Sequence, residues 1–262
     1  SEVAREARRI IAAVEIARCS DISEVSRRLV RMGICRTTTS ATVSLQALKA
    51  MLFPVAARRN NLYLHVTFAC PLSCTHCYAG THSPGITRDE MPSSAIEDLL
   101  TQAREAGFRK AVVTGGEPLC HGDGLELLET LKAARRASGK MKIVLRTSFA
   151  LPLSRDVLTR LSRAANELVV SVDGSRESHD ARRGAGTYDR VVRNIKSYLA
   201  VARSMENAAD LTLAAVLDAE QVCGEPGVAV RRLGQHLGVR RVRLRPLLPL
   251  GRAREIKIEH AV

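Results

Sequence analysis

The chain has 262 residues, 45% of them hydrophobic, enough to bury the core of one sizeable α/β domain with a smaller unit appended. No window approaches the ~18 uninterrupted apolar residues of a membrane span, and no charged-then-apolar leader is visible, so a reducing cytoplasm is the expected compartment and no membrane contact is expected. Forty Lys and Arg against 27 Asp and Glu give a formal charge of +13, which points to an acidic partner, either nucleic acid or an acidic segment of a peptide.

In chain order, residues 1–57 come first. Apolar residues recur at helical spacing through 3–18, 22–32 and 43–52, with Gly33 as a helix stop and TTTSAT at 37–42 as a cap-rich turn. This predicts a small N-terminal helical region, with Cys19 and Cys35 at helix-core positions. The stretch 21–51 has the rhythm of a helix-turn-helix, so the region is either a unit that binds a partner or nucleic acid, or a helical cap on the sheet that follows. The near absence of aromatic residues there argues against base stacking, and nucleic acid is the less expected partner.

The first predicted strand, 62–68, runs straight into CPLSCTHC at 70–77. Cys70, Cys74 and Cys77 have the C-x3-C-x2-C spacing of a site-differentiated iron–sulfur cluster, in which three thiolates bind three corners of a four-iron cubane and one iron stays open. Two alternatives remain at this point: a zinc site that drafts His76 or His65, or unpaired structural thiols. A disulfide framework does not suit an odd count of seven cysteines.

A helix is predicted over 93–106 with Ser93 as N-cap, then a strand over 110–114 that ends in GGEP at 115–118. Gly115 and Gly116 let the backbone approach a ligand closely, and Glu117 adds an acceptor for an ammonium group; an ordinary strand-to-helix turn is the alternative. Cys120 follows directly. Further predicted elements are a helix at 124–137, a strand at 142–147, a helix at 154–165 with Ser154 as N-cap, and a strand at 168–172 that carries SVDG at 171–174. Then come a helix at 187–202, a strand at 211–217 with Cys223 in the loop after it, a helix at 227–237 and a strand at 241–245. Along that last strand arginine alternates with Val and Leu, so some arginines point into the mouth of the fold to meet an anionic group, or else form a solvated rim.

Six strands alternating with helices imply a parallel sheet with right-handed crossovers, curving into a partial (β/α)6 barrel of TIM type. In such folds chemistry collects at the C-terminal ends of the strands, where all three motifs fall.

With CPLSCTHCYA at 70–79, GGEP at 115–118, SVDGSRESHDARRG at 171–184 and LRPLLPLGRA at 244–253, the sequence resembles the radical S-adenosylmethionine (radical SAM) enzymes, in particular the branch that includes the SPASM-domain peptide maturases. The resemblance implies a radical SAM partial barrel over 58–253 and a tail over 254–262. It also implies that Cys70, Cys74 and Cys77 hold a [4Fe-4S] cluster whose open iron binds S-adenosyl-L-methionine. Gly115, Gly116 and Glu117 would contact the methionyl ammonium, Ser171 and Asp173 the sugar and methionyl portion, and Arg183 the methionyl carboxylate. His76 stands where the family prefers an aromatic residue and would cover the adenine. Cys120 and Cys223, both expected near the active rim, are candidate hydrogen donors to a substrate radical, against the alternative of inert thiols. The expected partners are a peptide substrate with an acidic leader and an external one-electron reductant such as flavodoxin or ferredoxin. A sugar, aminoglycoside or tetrapyrrole substrate is one alternative, and an iron–sulfur regulator that binds nucleic acid is another. The branch continues beyond the PLLPLGRA-like run into a domain with auxiliary-cluster cysteines, which this sequence lacks, so a single-cluster relative and a piece of a longer protein are both compatible with it.

Overall fold

The computed structural model describes residues 61–79, 81, 90–137 and 139–256. The chain divides into two units, Ser1–Arg58 and Arg59–Val262, and every described residue belongs to the second. The expected helical region 1–57, with Cys19 and Cys35, and residues 257–262 of the expected tail lie outside the described residues.

The strands are β1 (Asn61–His65), β2 (Lys110–Thr114), β3 (Lys142–Thr147), β4 (Glu167–Ser171), β5 (Asp210–Leu217) and β6 (Arg241–Pro246). The helices are α1 (Ser93–Glu105), α2 (Gly124–Ala137), α3 (Arg155–Ala164), α4 (Arg176–Arg183), α5 (Thr187–Arg203), α6 (Ala219–Cys223) and α7 (Glu225–Leu237). The six strands form one all-parallel sheet in the order β1 to β6, each paired only with its sequence neighbours among the described residues. The sheet does not close, which is the expected partial barrel.

Strand periodicity of two sorts the side chains onto two faces. Leu64, Val113, Leu145, Leu168 and Leu213 pack into one large core with Ile96 and Leu100 of α1, Leu131 of α2, Leu161 of α3, and Ile195 and Tyr198 of α5. Each fully buried Leu or Ile contributes roughly 1.5–3 kcal/mol. Tyr198 is buried completely and donates its hydroxyl to Ala209 O at 2.5 Å, so its polar tip is satisfied. On the other face Val112, Val144, Val169 and Ala214 form a separate small apolar cluster. At the N-terminal end of that face Glu167 is buried and accepts from Thr212 Oγ1, with Arg243 at 2.7 Å and Arg241 at 3.5 Å.

Four local features differ from the sequence-based expectations. The first strand stops at His65 because Thr67 turns its hydroxyl to local partners, accepting from Ala69 N at 3.0 Å and donating to Glu90 at 2.9 Å. Helix α1 is N-capped by Pro92 without a side-chain bond, and Ser93 sits buried at its first position with an unpartnered hydroxyl. Ser154 does cap α3, accepting from Val157 N at 3.3 Å. Helices α4 and α6 were not expected, and Cys223 closes α6 rather than lying in a loop.

Candidate active site

Beyond β1 the chain keeps pairing with the end of β2: Val66 N donates to Thr114 O, Gly116 N to Thr67 O at 2.7 Å, and Glu117 N to Ala69 O at 2.8 Å. A Cβ on Gly115 would stand 2.2 Å from Thr67 O, and one on Gly116 would stand 2.4 Å from Ala69 O. The two glycines are therefore required by the backbone that feeds Cys70, a demand additional to any ligand. Glu117 is 1% exposed, and its Oε2 accepts from Ser148 N at 2.7 Å and Ser148 Oγ at 2.5 Å while Oε1 accepts from Leu119 N at 3.3 Å. Burial raises its carboxyl pKa, and the Ser148 bonds oppose that shift.

The cysteine loop is fastened from far along the chain. Arg252 donates from Nε to Cys74 O at 2.8 Å, from Nη2 to Thr81 Oγ1 at 3.2 Å, and from its backbone N to Cys77 O at 2.9 Å. Thr75 N donates to Arg182 O at 2.9 Å. Gly251 makes the approach possible: its φ is +57°, and a Cβ there would lie 2.4 Å from Cys77 O. Gly251→Ala is expected to cost about 1–3 kcal/mol of stability, from the positive φ and the clash together, and to lower the iron retained after anaerobic reconstitution. Urea unfolding and iron analysis check this; an unchanged midpoint and iron load would show that the fastening is dispensable.

Behind the loop lies a buried charged group. Asp173 is 0% exposed; its Oδ2 accepts from Arg183 Nε at 2.6 Å and its Oδ1 from Val216 N at 3.0 Å. His76 Nε2 stands 3.3 Å from Asp173 Oδ2 and 3.4 Å from Arg183 Nη2. Burial alone would raise the Asp173 carboxyl, but the Arg183 and His76 side chains hold it below the ordinary carboxylate range. Burial pushes His76 down to about 4, so its imidazole is neutral near pH 7.

These elements enclose a cavity of about 540 Å³ at the C-terminal ends of the strands. Cys70, Cys74 and Cys77 line it together with Gly115 and Gly116, and His76, Ser171 and Arg183 also reach it. The side chains of Glu117 and Asp173 do not line it; they brace Ser148 and Arg183, which do. Cys120, half-buried in the turn after GGEP, and Cys223, exposed at the end of α6, do not line it either. Sequence reasoning gave no role to Ser148, Arg146 or Arg252; Arg146 lies near the end of β3 and Ser148 just beyond it, rim positions that the barrel argument makes available, and Arg252 falls within the LRPLLPLGRA run at 244–253, which by itself does not show that the residue reaches the cysteine loop.

The three thiols are free, with Cys74 buried and Cys70 and Cys77 half-buried. Burial pushes Cys70 up to about 12 and raises Cys74, against which Arg183 acts. Among the described residues no three His, Cys, Asp or Glu side chains converge on the position of a single ion, and His76 is engaged with Asp173 and Arg183. A cubane takes each thiolate on a different iron, so three sulfur donors spread along one cavity wall suit it without converging. The donor set thus fits a [4Fe-4S] cluster.

A family model described as the radical SAM superfamily matches residues 64–204. A probable GTP 3',8-cyclase of Methanopyrus kandleri is 31% identical over 99 residues, 38% of this chain and 32% of that protein. The mycofactocin maturase MftC of Mycobacterium tuberculosis is 29% identical over 141 residues, 52% of this chain and 33% of that protein. The chain spans about a third to a half of the length of the curated relatives it matches. Among solved structures, Streptococcus suis SuiB bound to precursor peptide SuiA superposes with a TM-score of 0.63 at 15% identity, over 95% of this chain and 58% of that one, a likeness of fold.

Proposed function

The chain belongs to the radical SAM superfamily, whose cofactors are a [4Fe-4S] cluster and S-adenosyl-L-methionine, and from that premise we propose that it abstracts hydrogen from a ribosomally made peptide in the course of its maturation. The observation that carries this reading is the shared cavity, in which Cys70, Cys74 and Cys77 face the same space as the Gly115–Gly116 edge. When bound, the reduced cluster and S-adenosylmethionine would supply the radical chemistry that hydrogen abstraction from an unactivated carbon needs.

The chain's own residues hold and orient. Cys70, Cys74 and Cys77 hold the cluster, and Gly115 and Gly116 offer backbone to the methionyl end of the cofactor. Ser171 borders the sugar and His76 the adenine. Arg183 takes the methionyl carboxylate with the N–H groups that Asp173 leaves free. Glu117 acts through Ser148 and Asp173 through Arg183, both as positioning residues. An external one-electron reductant of the flavodoxin or ferredoxin class delivers the electron. The peptide substrate is supported by the mouth of the cavity: Tyr78, Leu248 and Leu250 line it yet remain 51%, 56% and 45% exposed, an apolar rim suited to peptide side chains. The likeness to the cyclase favours a second reading, a small-molecule substrate.

Reconstitution without oxygen, reduction with dithionite and addition of S-adenosylmethionine should release 5'-deoxyadenosine, and precursor peptides encoded beside the gene should gain a mass change. Iron-loaded protein that makes no deoxyadenosine sinks the radical reading. Deoxyadenosine coupled only to a small molecule sinks the peptide.

A further inference from the structure

Among the described residues, the sheet face that carries the small apolar cluster also carries two arginines with no carboxylate partner. On β6, Arg241, Arg243 and Arg245 fall at alternate positions and so share a face. Arg241 is paired with Asp210 at 3.1 Å and Glu167 at 3.5 Å, and Arg243 with Glu167 at 2.7 Å. Arg245, one step nearer the C-terminal end, lines the cavity and has no carboxylate within ion-pair distance among the described residues. Arg146 lines the same cavity from β3; its guanidinium lies 5.4 Å over the Tyr63 ring and it too lacks a carboxylate partner among the described residues. Burial, together with Arg245 and Arg243 nearby, weakens the hold of Arg146 on its proton. Two guanidinium groups turned into one partly desolvated space repel each other and lose hydration, and an oxyanion between them offsets both effects.

We infer that Arg146 and Arg245 form a clamp for one oxyanion of the substrate. On the peptide reading above, that oxyanion is the carboxylate of an acidic residue, and only this choice of source rests on that reading. Val169 stands opposite Arg146 and Val216 opposite Arg245 in the strand register, both lining the cavity, while Tyr78, Leu248 and Leu250 form the rim. The site is therefore matched to a single charged group on a largely apolar stem. A polyphosphate would bring more negative charge than two cations neutralise.

The test is binding to the iron-loaded 262-residue chain, which needs no radical chemistry. The probes are the tripeptides Ac-Ala-Glu-Ala-NH2 and Ac-Ala-Gln-Ala-NH2 and inorganic phosphate, followed by ligand-observed NMR. The Glu peptide should bind about ten-fold or more tighter than its neutral isostere, and phosphate should compete with it. Arg146→Met combined with Arg245→Met should erase the preference, while Arg146→Lys should keep part of it. Phosphate that binds tighter than the Glu peptide keeps the clamp and assigns it to a phosphorylated substrate. Equal binding of the Glu and Gln peptides without phosphate competition overturns the clamp, as does a preference that survives in the folded double variant. Neither result depends on whether deoxyadenosine is made.

Discussion

Replacing Cys70, Cys74 and Cys77 together by alanine is expected to reduce iron content and 5'-deoxyadenosine release to background while leaving the sheet intact. The chemistry has no other sulfur donors on this cavity wall among the described residues, because Cys120 and Cys223 do not line it. The fold survives because the loop is held by bonds that do not involve sulfur: Arg252 to Cys74 O and Cys77 O, and Thr75 N to Arg182 O. Cys70 and Cys77 are half-buried, and Cys74 is the one buried thiol of the three, so the lost packing should cost on the order of 1–2 kcal/mol. Far-UV circular dichroism close to wild type, no iron–sulfur absorption and no deoxyadenosine form the expected set. Deoxyadenosine at wild-type level from the triple variant would remove the cysteine assignment altogether.

The second large effect is expected at Asp173. Asp173→Asn keeps the shape and the acceptor for Val216 N but leaves the Arg183 guanidinium, 10% exposed, with no charge partner at 2.6 Å. Breaking one side of a buried pair typically costs about 3–5 kcal/mol, because the remaining charge stays desolvated. Asp173→Asn combined with Arg183→Met removes both charges and should cost clearly less than the single change. The acid limb of the stability curve carries its own signature. Since the folded carboxyl titrates below the ordinary value of about 3.9, its contribution is present above that pH and is lost as pH falls through the lower folded value. The single variant should lack this part of the acid dependence. Urea unfolding at pH 7 and at low pH tests both statements, and a loss under 1 kcal/mol at pH 7 would mean that water or a shifted neighbour compensates Arg183.

The strands were legible because each is a short run of β-branched and aliphatic residues between turn signals, and the cysteine spacing and GGEP are local. What sequence could not supply was pairing at a distance. Gly115 and Gly116 were expected to serve a ligand, yet their would-be Cβ positions fall on Thr67 O and Ala69 O, a strand contact invisible in the motif itself. Glu117 and Asp173 were expected at the cofactor, and the residues that claim their oxygens, Ser148 and Arg183, come from the turn after β3 and from α4. Helix α4 was missed because it buries only His179 and so shows no apolar stripe. Helix α6 has a capping box, with Asp218 and Gln221 bonded reciprocally, a signature that is local and readable but spans only five residues.

The bond from Arg252 to Cys74 joins residues 178 positions apart. At 5–20 residues per second a ribosome needs roughly 10–35 s to travel that distance. Throughout that interval the nascent chain carries three thiols on a loop whose Arg252 bonds cannot yet form. Iron that reached the three cysteines before that point would meet a loop still without its Arg252 bonds.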